Sequence, residues 1–207
     1  MPTDKSQLYY GWIYHKLFDP PLAEGRQVAV DLVREGSSVL DLGCGTGQLC
    51  LALREKKRCR VVGLDLSLRM LEFARKANRY DDVIFVHQGA GDLDDFGDRS
   101  FDYATALFLL HELPREIQLR VLSEGLRVAE TLILVDARVP LPKNAGGLGV
   151  RLVEATFGRD HHNHFRNFLA GGGIMGLLQD SASPVTVVHR SVFWRNCREV
   201  VAARRQD

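Results

Sequence analysis

The chain has 207 residues, of which 45% are hydrophobic, with 27 Lys and Arg against 26 Asp and Glu for a net charge of +1. That length suits one α/β domain and is too short for two. The even charge balance offers no electrostatic footprint for nucleic acid or for an acidic membrane. The run Arg54-Glu55-Lys56-Lys57-Arg58-Cys59-Arg60 is short and interrupted, and reads as a solvated helix end. Four cysteines without CxxC spacing fit a reducing compartment, and the start Met1-Pro2-Thr3-Asp4-Lys5 lacks an apolar leader. No apolar run approaches the roughly eighteen residues of a membrane helix, so a cytoplasmic protein without a transmembrane segment is expected.

An aromatic segment, Leu8 to Phe18, ends at Asp19-Pro20-Pro21, after which Leu22 to Arg34 reads as a helix closed by Glu35-Gly36. From Ser37 the pattern alternates. Ser38 to Leu42 is an apolar strand running into glycines, and Gln48 to Glu55 is the next helix. Arg60 to Asp65 is the second strand, followed by a helix from Ser67 to Asn78 with Ser67 as its N-cap. Asp82 to His87 and Phe101 to Leu107 are the third and fourth strands. Pro114 opens a helix to about Val128, and Thr131 to Asp136 is the fifth strand. This alternation predicts a doubly wound, mostly parallel sheet with helices on both faces.

The tail departs from that rhythm. Val185 to Val192 and Trp194 to Ala203 read as a hairpin, so one of the two strands should run antiparallel. Residues 140–183 form a Gly-rich and His-rich insertion, read as helices interrupted by Gly146-Gly147 and by Gly171-Gly172-Gly173. It would lie over the C-terminal edge of the sheet, where open α/β folds bind ligands, and is expected to be a lid. The whole is read as one domain over 1–207, with an N-terminal helical segment over 1–35 and the lid-like insertion over 140–183.

The turn Asp41-Leu42-Gly43-Cys44-Gly45-Thr46-Gly47 carries most of the chemistry. Glycine lets backbone N–H groups approach a ligand without a Cβ in the way. The spacing Gly43-x-Gly45-x-Gly47 differs from the dinucleotide fingerprint, whose third glycine falls one place later. Asp41 beside the loop would repel a pyrophosphate and suits a ligand bearing an ammonium group. Asp65 ends the second strand, where a carboxylate can accept from two ribose hydroxyls. The alternative is structural: a tight turn, with Asp65 serving only the following helix.

Val39-Leu40-Asp41-Leu42-Gly43-Cys44-Gly45-Thr46-Gly47 resembles the first motif of the class I, Rossmann-like S-adenosylmethionine-dependent methyltransferases. Val62-Gly63-Leu64-Asp65-Leu66-Ser67, with Arg69-Met70-Leu71 and Ala74-Arg75, is similar to their second strand and following helix. Ser100-Phe101-Asp102-Tyr103 and Leu110-His111-Glu112-Leu113 resemble the fourth strand and its exit. The resemblance extends over about Leu8 to Val139 and is nearest the broad type 11 small-molecule set, which includes quinone-biosynthesis enzymes. It implies a seven-stranded sheet of order 3-2-1-4-5-7-6 with strand seven antiparallel, and S-adenosylmethionine as methyl donor. It also implies that Asp41, Gly43 and Gly45 hold the methionine half, that Asp65 takes the ribose and that Leu66 packs on adenine. Cys44, Gly47, Met70, Ala90, Gly91 and Leu107 would complete the cofactor site. Where the family usually has Gly-Asp-Ala after the third strand, this chain reads Gln88-Gly89-Ala90-Gly91-Asp92. Asp92 or the backbone would then read the adenine.

Methyl transfer from a sulfonium needs alignment and exclusion of water more than acid or base groups. His111, directly after the fourth strand, is the one candidate for contact with the acceptor or for proton removal. Phe108 and Leu109 would line the pocket or pack the core. Asp160-His161-His162-Asn163-His164 is the most unusual cluster, but its spacing is too crowded to close a metal site alone, so no metal is expected. These features imply methylation of a small apolar or amphipathic acceptor. Two alternatives are a phospholipid or quinone methyltransferase at a membrane surface, suggested by Tyr9, Tyr10 and Trp12, and a non-catalytic cofactor-binding protein. Nucleic acid is not expected as a partner, there being neither an Asn-Pro-Pro-Tyr-type motif nor a basic stripe.

Overall fold

The structure, a computed structural model, describes residues 12–206, with side chains from Leu22 onward. Its strands are β1 (Ser38–Leu42), β2 (Arg60–Asp65), β3 (Val83–His87), β4 (Phe101–Leu107), β5 (Ala129–Ala137), β6 (Val185–Phe193) and β7 (Arg198–Arg205). They form one seven-stranded sheet of order β3-β2-β1-β4-β5-β7-β6. The first five are mutually parallel, and β7 runs antiparallel to both β5 and β6. The sheet order and the odd strand are those expected.

Helices cover both faces. Helix α1 (Trp12–Leu32), α2 (Gln48–Lys57) and α3 (Leu68–Ala77) bury Val30, Leu53 and Leu71 against one face. On the other lie α4 (Arg115–Val128), α5 (Ala145–Ala155), α6 (Arg159–Ala170) and α7 (Gly173–Gln179). Strand β5 is central to both layers, with every residue but Glu130 buried, as a two-sided parallel strand requires. Helix α3 starts as predicted, the Ser67 Oγ accepting from the Met70 N–H at 3.4 Å.

Three expectations change. Helix α1 continues through Pro20 and Pro21, where a break was expected; its C-terminal half is anchored by burial of Ala29 and Val30. The tail hairpin turns at Trp194, Arg195 and Asn196 instead of beginning a strand there. All three have positive φ, between 41° and 64°, which takes the chain out of extended geometry until Arg198. Gly146 and Gly147 do not interrupt a helix but form the first turn of α5, where Asn144 Oδ1 accepts from the Gly147 N–H at 3.0 Å.

The expected lid is also more firmly seated than a mobile flap. Phe165 and Phe168 of α6, Ile174 and Leu177 of α7 and Val150 of α5 all join the core cluster that includes Leu132 and Leu134 of β5. Emptying either Phe position would cost about 3–5 kcal/mol. The insertion packs as a roof over this face of the sheet.

Candidate active site

The glycine loop leaves the C-terminal end of β1 with Gly43, Gly45 and Gly47 all in the left-handed region, at φ 72°, 54° and 73°. Two of the three are also needed for packing. A Cβ on Gly47 would lie 2.5 Å from Phe85 Cζ, and one on Gly43 would lie 2.8 Å from Leu109 Cδ1. Gly45 differs, since a Cβ there would meet nothing within 4 Å. The turn thus packs on its outer glycines and presents its middle one to open space.

Asp65 is tied to that open glycine. Its Oδ2 accepts from the Gly45 N–H and its Oδ1 from the Ser67 N–H, both at 2.8 Å. Each oxygen keeps lone-pair capacity for one further donor, and the residue is only half-buried. Next to it Leu66 is 71% exposed, a large apolar side chain left uncovered beside Gly89. A pinned carboxylate, an open glycine and an exposed apolar wall together fit a nucleoside with adjacent hydroxyls. The structural alternative for Asp65 accounts for only half of its hydrogen-bonding capacity.

Asp41 is placed differently from the sequence expectation. It pairs in register with Thr105 of β4 and is only 3% exposed. Thr105 Oγ1 donates to its Oδ1 at 2.7 Å and Cys50 Sγ to its Oδ2 at 3.3 Å. Burial raises its pKa to about 6, against the opposing hydrogen bonds of Thr105 and Cys50. Asp41 is thus a buried negative charge beneath the loop. Gly63, its register partner on β2, has no side chain, and that gap is filled by Cys44 and Cys50.

The sign of this shift makes a prediction. The folded chain holds the Asp41 proton more tightly than the unfolded chain, so this group's contribution to stability falls as pH rises from about 4 through about 6. Asp41→Asn is expected to raise stability at neutral pH by up to about 3 kcal/mol, measured by urea unfolding at pH 7.5 and again at pH 4. The gain should vanish at the lower pH; an equal gain at both would contradict a charge effect.

The remaining predicted residues divide. Met70 lies in the first turn of α3, and Cys44 is fixed by its N–H to Leu64 O at 2.8 Å. Ala90 packs against the core, and the open side of Gly91 faces Arg120 and Val121 of α4 instead of the loop. Asp92 is exposed, and its N–H closes a turn onto Gly89 O at 3.2 Å. Leu107 is half-buried at the end of β4. Beyond it Phe108 adopts φ 55° and fills the space beside Gly25, while Leu109 covers Gly43. Phe108 is thus a packing residue and Leu109 part of the loop wall. Tyr9 and Tyr10, and the side chains of Trp12 and Tyr14, lie outside the described residues.

His111 sits in a 3-10 turn (Leu110–Glu112) and is only 5% exposed. Its Nδ1 is 2.7 Å from Asp136 Oδ1, and its backbone N–H donates to Asp136 Oδ2 at 3.2 Å. Its Nε2 lies 3.6 Å from Glu154 Oε2. Burial opposes a charge here, but the carboxylates of Asp136 and then Glu154 outweigh it and lift the pKa to about 9. Glu154 is correspondingly held at about 2: burial would raise it, but His111, His161 and Arg198 prevail. A group already carrying its proton at neutral pH, roofed by Phe165 and Phe168, is poorly suited to act as a general base. Glu154 and Asp136 were missed from sequence. Glu154 looks like any polar helix residue, and Asp136 like any strand end.

Of the histidine cluster, His161 turns inward, its Nε2 2.7 Å from Glu154 Oε2, and is 4% exposed. His164 meets the Glu112 carbonyl through Nδ1 at 2.9 Å. The three imidazoles therefore do not act as one group.

Fold and loop together give a Rossmann-like sheet with a candidate nucleoside site at its C-terminal edge. Residues 39–131 match the methyltransferase domain family. The chain is 35% identical over 135 residues to a demethylmenaquinone methyltransferase of Staphylococcus epidermidis, covering 61% of this chain and 55% of that one. It is 40% identical over 103 residues to the enzyme of the same name from Shouchella clausii, covering 47% and 43%. The chain thus spans about half the length of the curated relatives it matches. Among solved structures, an S-adenosylmethionine-dependent methyltransferase from Aquifex aeolicus superposes with a TM-score of 0.61 at 20% identity, over 98% of this chain and 97% of that one. The PH0226 protein from Pyrococcus horikoshii does so with 0.68 at 16% identity, over 95% and 100%. In fold the chain resembles solved S-adenosylmethionine-dependent methyltransferases, and over residues 39–131 its sequence is similar to the methyltransferase domain family.

Proposed function

We propose that this protein transfers a methyl group from S-adenosylmethionine to a small, apolar or amphipathic acceptor. The observation that carries this reading is the Gly45–Asp65 pair: an open glycine and a half-buried carboxylate locked together at the sheet edge. Asp65 would take the ribose hydroxyls, Leu66 would cover the adenine and the loop would hold the methionine half above Asp41. The cofactor brings a sulfonium methyl that is reactive when bound. The chain's own part is to hold the two reactants in line and keep water out, effects worth up to about 7–11 kcal/mol in favourable cases. The packed roof of α5, α6 and α7 would serve the second task on the acceptor side, next to the turn after β4.

The acceptor class is supported by the demethylmenaquinone methyltransferases among the relatives and by the apolar side chain of Leu109 over the loop. Incubation of the intact chain with methyl-labelled S-adenosylmethionine and a panel of reduced naphthoquinones, catechols and short prenylated phenols is expected to label at least one member. Labelling of no member, with the cofactor bound, would overturn the acceptor class.

A second reading, catalysis at a membrane surface, is favoured by Leu148 and Leu152. They stand one turn apart on α5 and are 59% and 60% exposed. No helix of the described residues is long and apolar enough to cross a membrane, so such an enzyme would dock on the surface. Co-sedimentation with neutral vesicles that Leu148→Ser with Leu152→Ser abolishes would support docking; no co-sedimentation would exclude it.

A further inference from the structure

Two imidazoles and a carboxylate converge in the interior, under the roof. His111 comes from the turn after β4, Glu154 from α5 and His161 from α6. One ligand-type atom from each lies within 4.8 Å of the others, and all three residues are buried. His111 Nε2 is 3.6 Å and His161 Nε2 2.7 Å from the same oxygen, Glu154 Oε2. We propose that His111, Glu154 and His161 form a binding site for a divalent transition metal, zinc by ligand type, with its fourth position left to a water or an acceptor oxygen.

The two separations to Glu154 suit that ion, which would displace the proton His111 otherwise carries on Nε2. Tetrahedral zinc with bonds of about 2.0–2.2 Å separates its ligand atoms by about 3.3–3.6 Å. The His111–Glu154 separation already falls there, and the His161–Glu154 pair need open by only about 1 Å or less. The three ligands sit on three different packed elements, so the chain folds them together before any ion arrives.

The surroundings are those of a metal site as well. Asp136 Oδ1, 2.7 Å from His111 Nδ1, fixes the ring so that Nε2 points at Glu154. A carboxylate behind a ligating imidazole both orients it and strengthens it as a ligand. Phe165 and Phe168 flank His111, and Phe157 flanks His161, with ring centroids 5.1–6.5 Å away, which makes the pocket dry.

A second observation bears on the open position. Arg198 Nη2 is 3.6 Å from Glu154 Oε1, and the residue is only 8% exposed. Its Nε and Nη1 are buried without a hydrogen-bond partner. Such orphaned donors are costly, and they leave the guanidinium, which lies over the Phe108 and Trp194 rings, able to take an oxygen acceptor. A metal-bound oxygen would supply one. A self-satisfied charge cluster of His111, Asp136, Glu154, His161 and Arg198 leaves these donors empty.

The test reads metal binding and not methyl transfer, so its failure would leave the proposed activity standing. The intact chain, stripped with a chelator, is titrated with zinc by calorimetry and with cobalt(II) as a coloured substitute. One equivalent is expected to bind, with a four- or five-coordinate cobalt spectrum lacking a thiolate charge-transfer band. That band would report the buried Cys44, Cys50, Cys59 and Cys197 instead. Glu154→Gln and His161→Gln should each weaken binding at least about 100-fold, and Asp136→Asn about 10–100-fold. His164→Gln should leave it unchanged. Absence of saturable binding by the intact chain, a thiolate-type cobalt spectrum, or full affinity in folded Glu154→Gln would each overturn the site. Should the variants fail to fold, the cobalt spectrum of the intact chain decides.

Discussion

Asp65→Ala is expected to weaken binding of S-adenosylmethionine or S-adenosylhomocysteine at least about a hundredfold. The carboxylate would accept from two ribose hydroxyls, and hydrogen bonds to a charged acceptor are worth about 1.5–3 kcal/mol each. The substitution also frees the Gly45 and Ser67 N–H groups that Asp65 now holds at 2.8 Å, so the loop loses its support as the ligand loses its partner. Asp65→Asn separates the two contributions. The amide can keep one backbone donor satisfied but not both, and should fall between the parent and the alanine variant. Titration calorimetry of the three proteins gives the order directly. Equal affinities would mean that Asp65 serves only the turn.

The largest expected loss of stability lies on the other face of the sheet. Asp136 is fully buried, and it accepts from His111 Nδ1, from the His111 N–H and from the Ala137 N–H, the last at 2.6 Å. Asp136→Ala leaves a buried imidazolium with Glu154 as its remaining close partner and strands two backbone donors. Breaking a buried pair from one side costs about 3–5 kcal/mol. The half-exposed pair Arg54–Asp82, also at 2.7 Å, is the comparison: Asp82→Ala should cost under about 1 kcal/mol because water screens it. Urea unfolding of both variants tests the contrast. Similar losses would mean that burial does not set the energetics of the His111–Asp136 pair.

How far these features can be read from sequence depends on how far apart their parts lie along the chain. The strand–helix alternation and the Ser67 cap follow from local pattern, since a parallel strand and an N-cap each announce themselves within a few residues; strand order does not, and came with the family resemblance. The Gly45–Asp65 pair is legible for the same reason, both members belonging to one βαβ unit. Asp41 is legible as an acid beside the loop, but not as a buried one. Its partners Thr105 and Cys50 reach it only through the β1–β4 register and the packing of α2. The prolines of α1 misled because local propensity was outweighed by burial of its C-terminal half. The His111–Glu154–His161 cluster is not legible, because metal ligands show in a sequence only where they lie close along the chain, and these come from three separate elements. A signal was nonetheless present: an acid and a histidine on successive helices, seven residues apart around Gly158.

The central claim is that the loop from Gly43 to Gly47, with Asp65, binds the methyl donor. Its most direct test is titration of the intact chain with S-adenosylhomocysteine, followed by calorimetry across pH 5 to pH 8. One equivalent is expected to bind, with affinity rising as pH passes through about 6, where Asp41 ionises beneath the loop and attracts the ligand's ammonium group. Absence of saturable binding at any pH in that range would contradict the account.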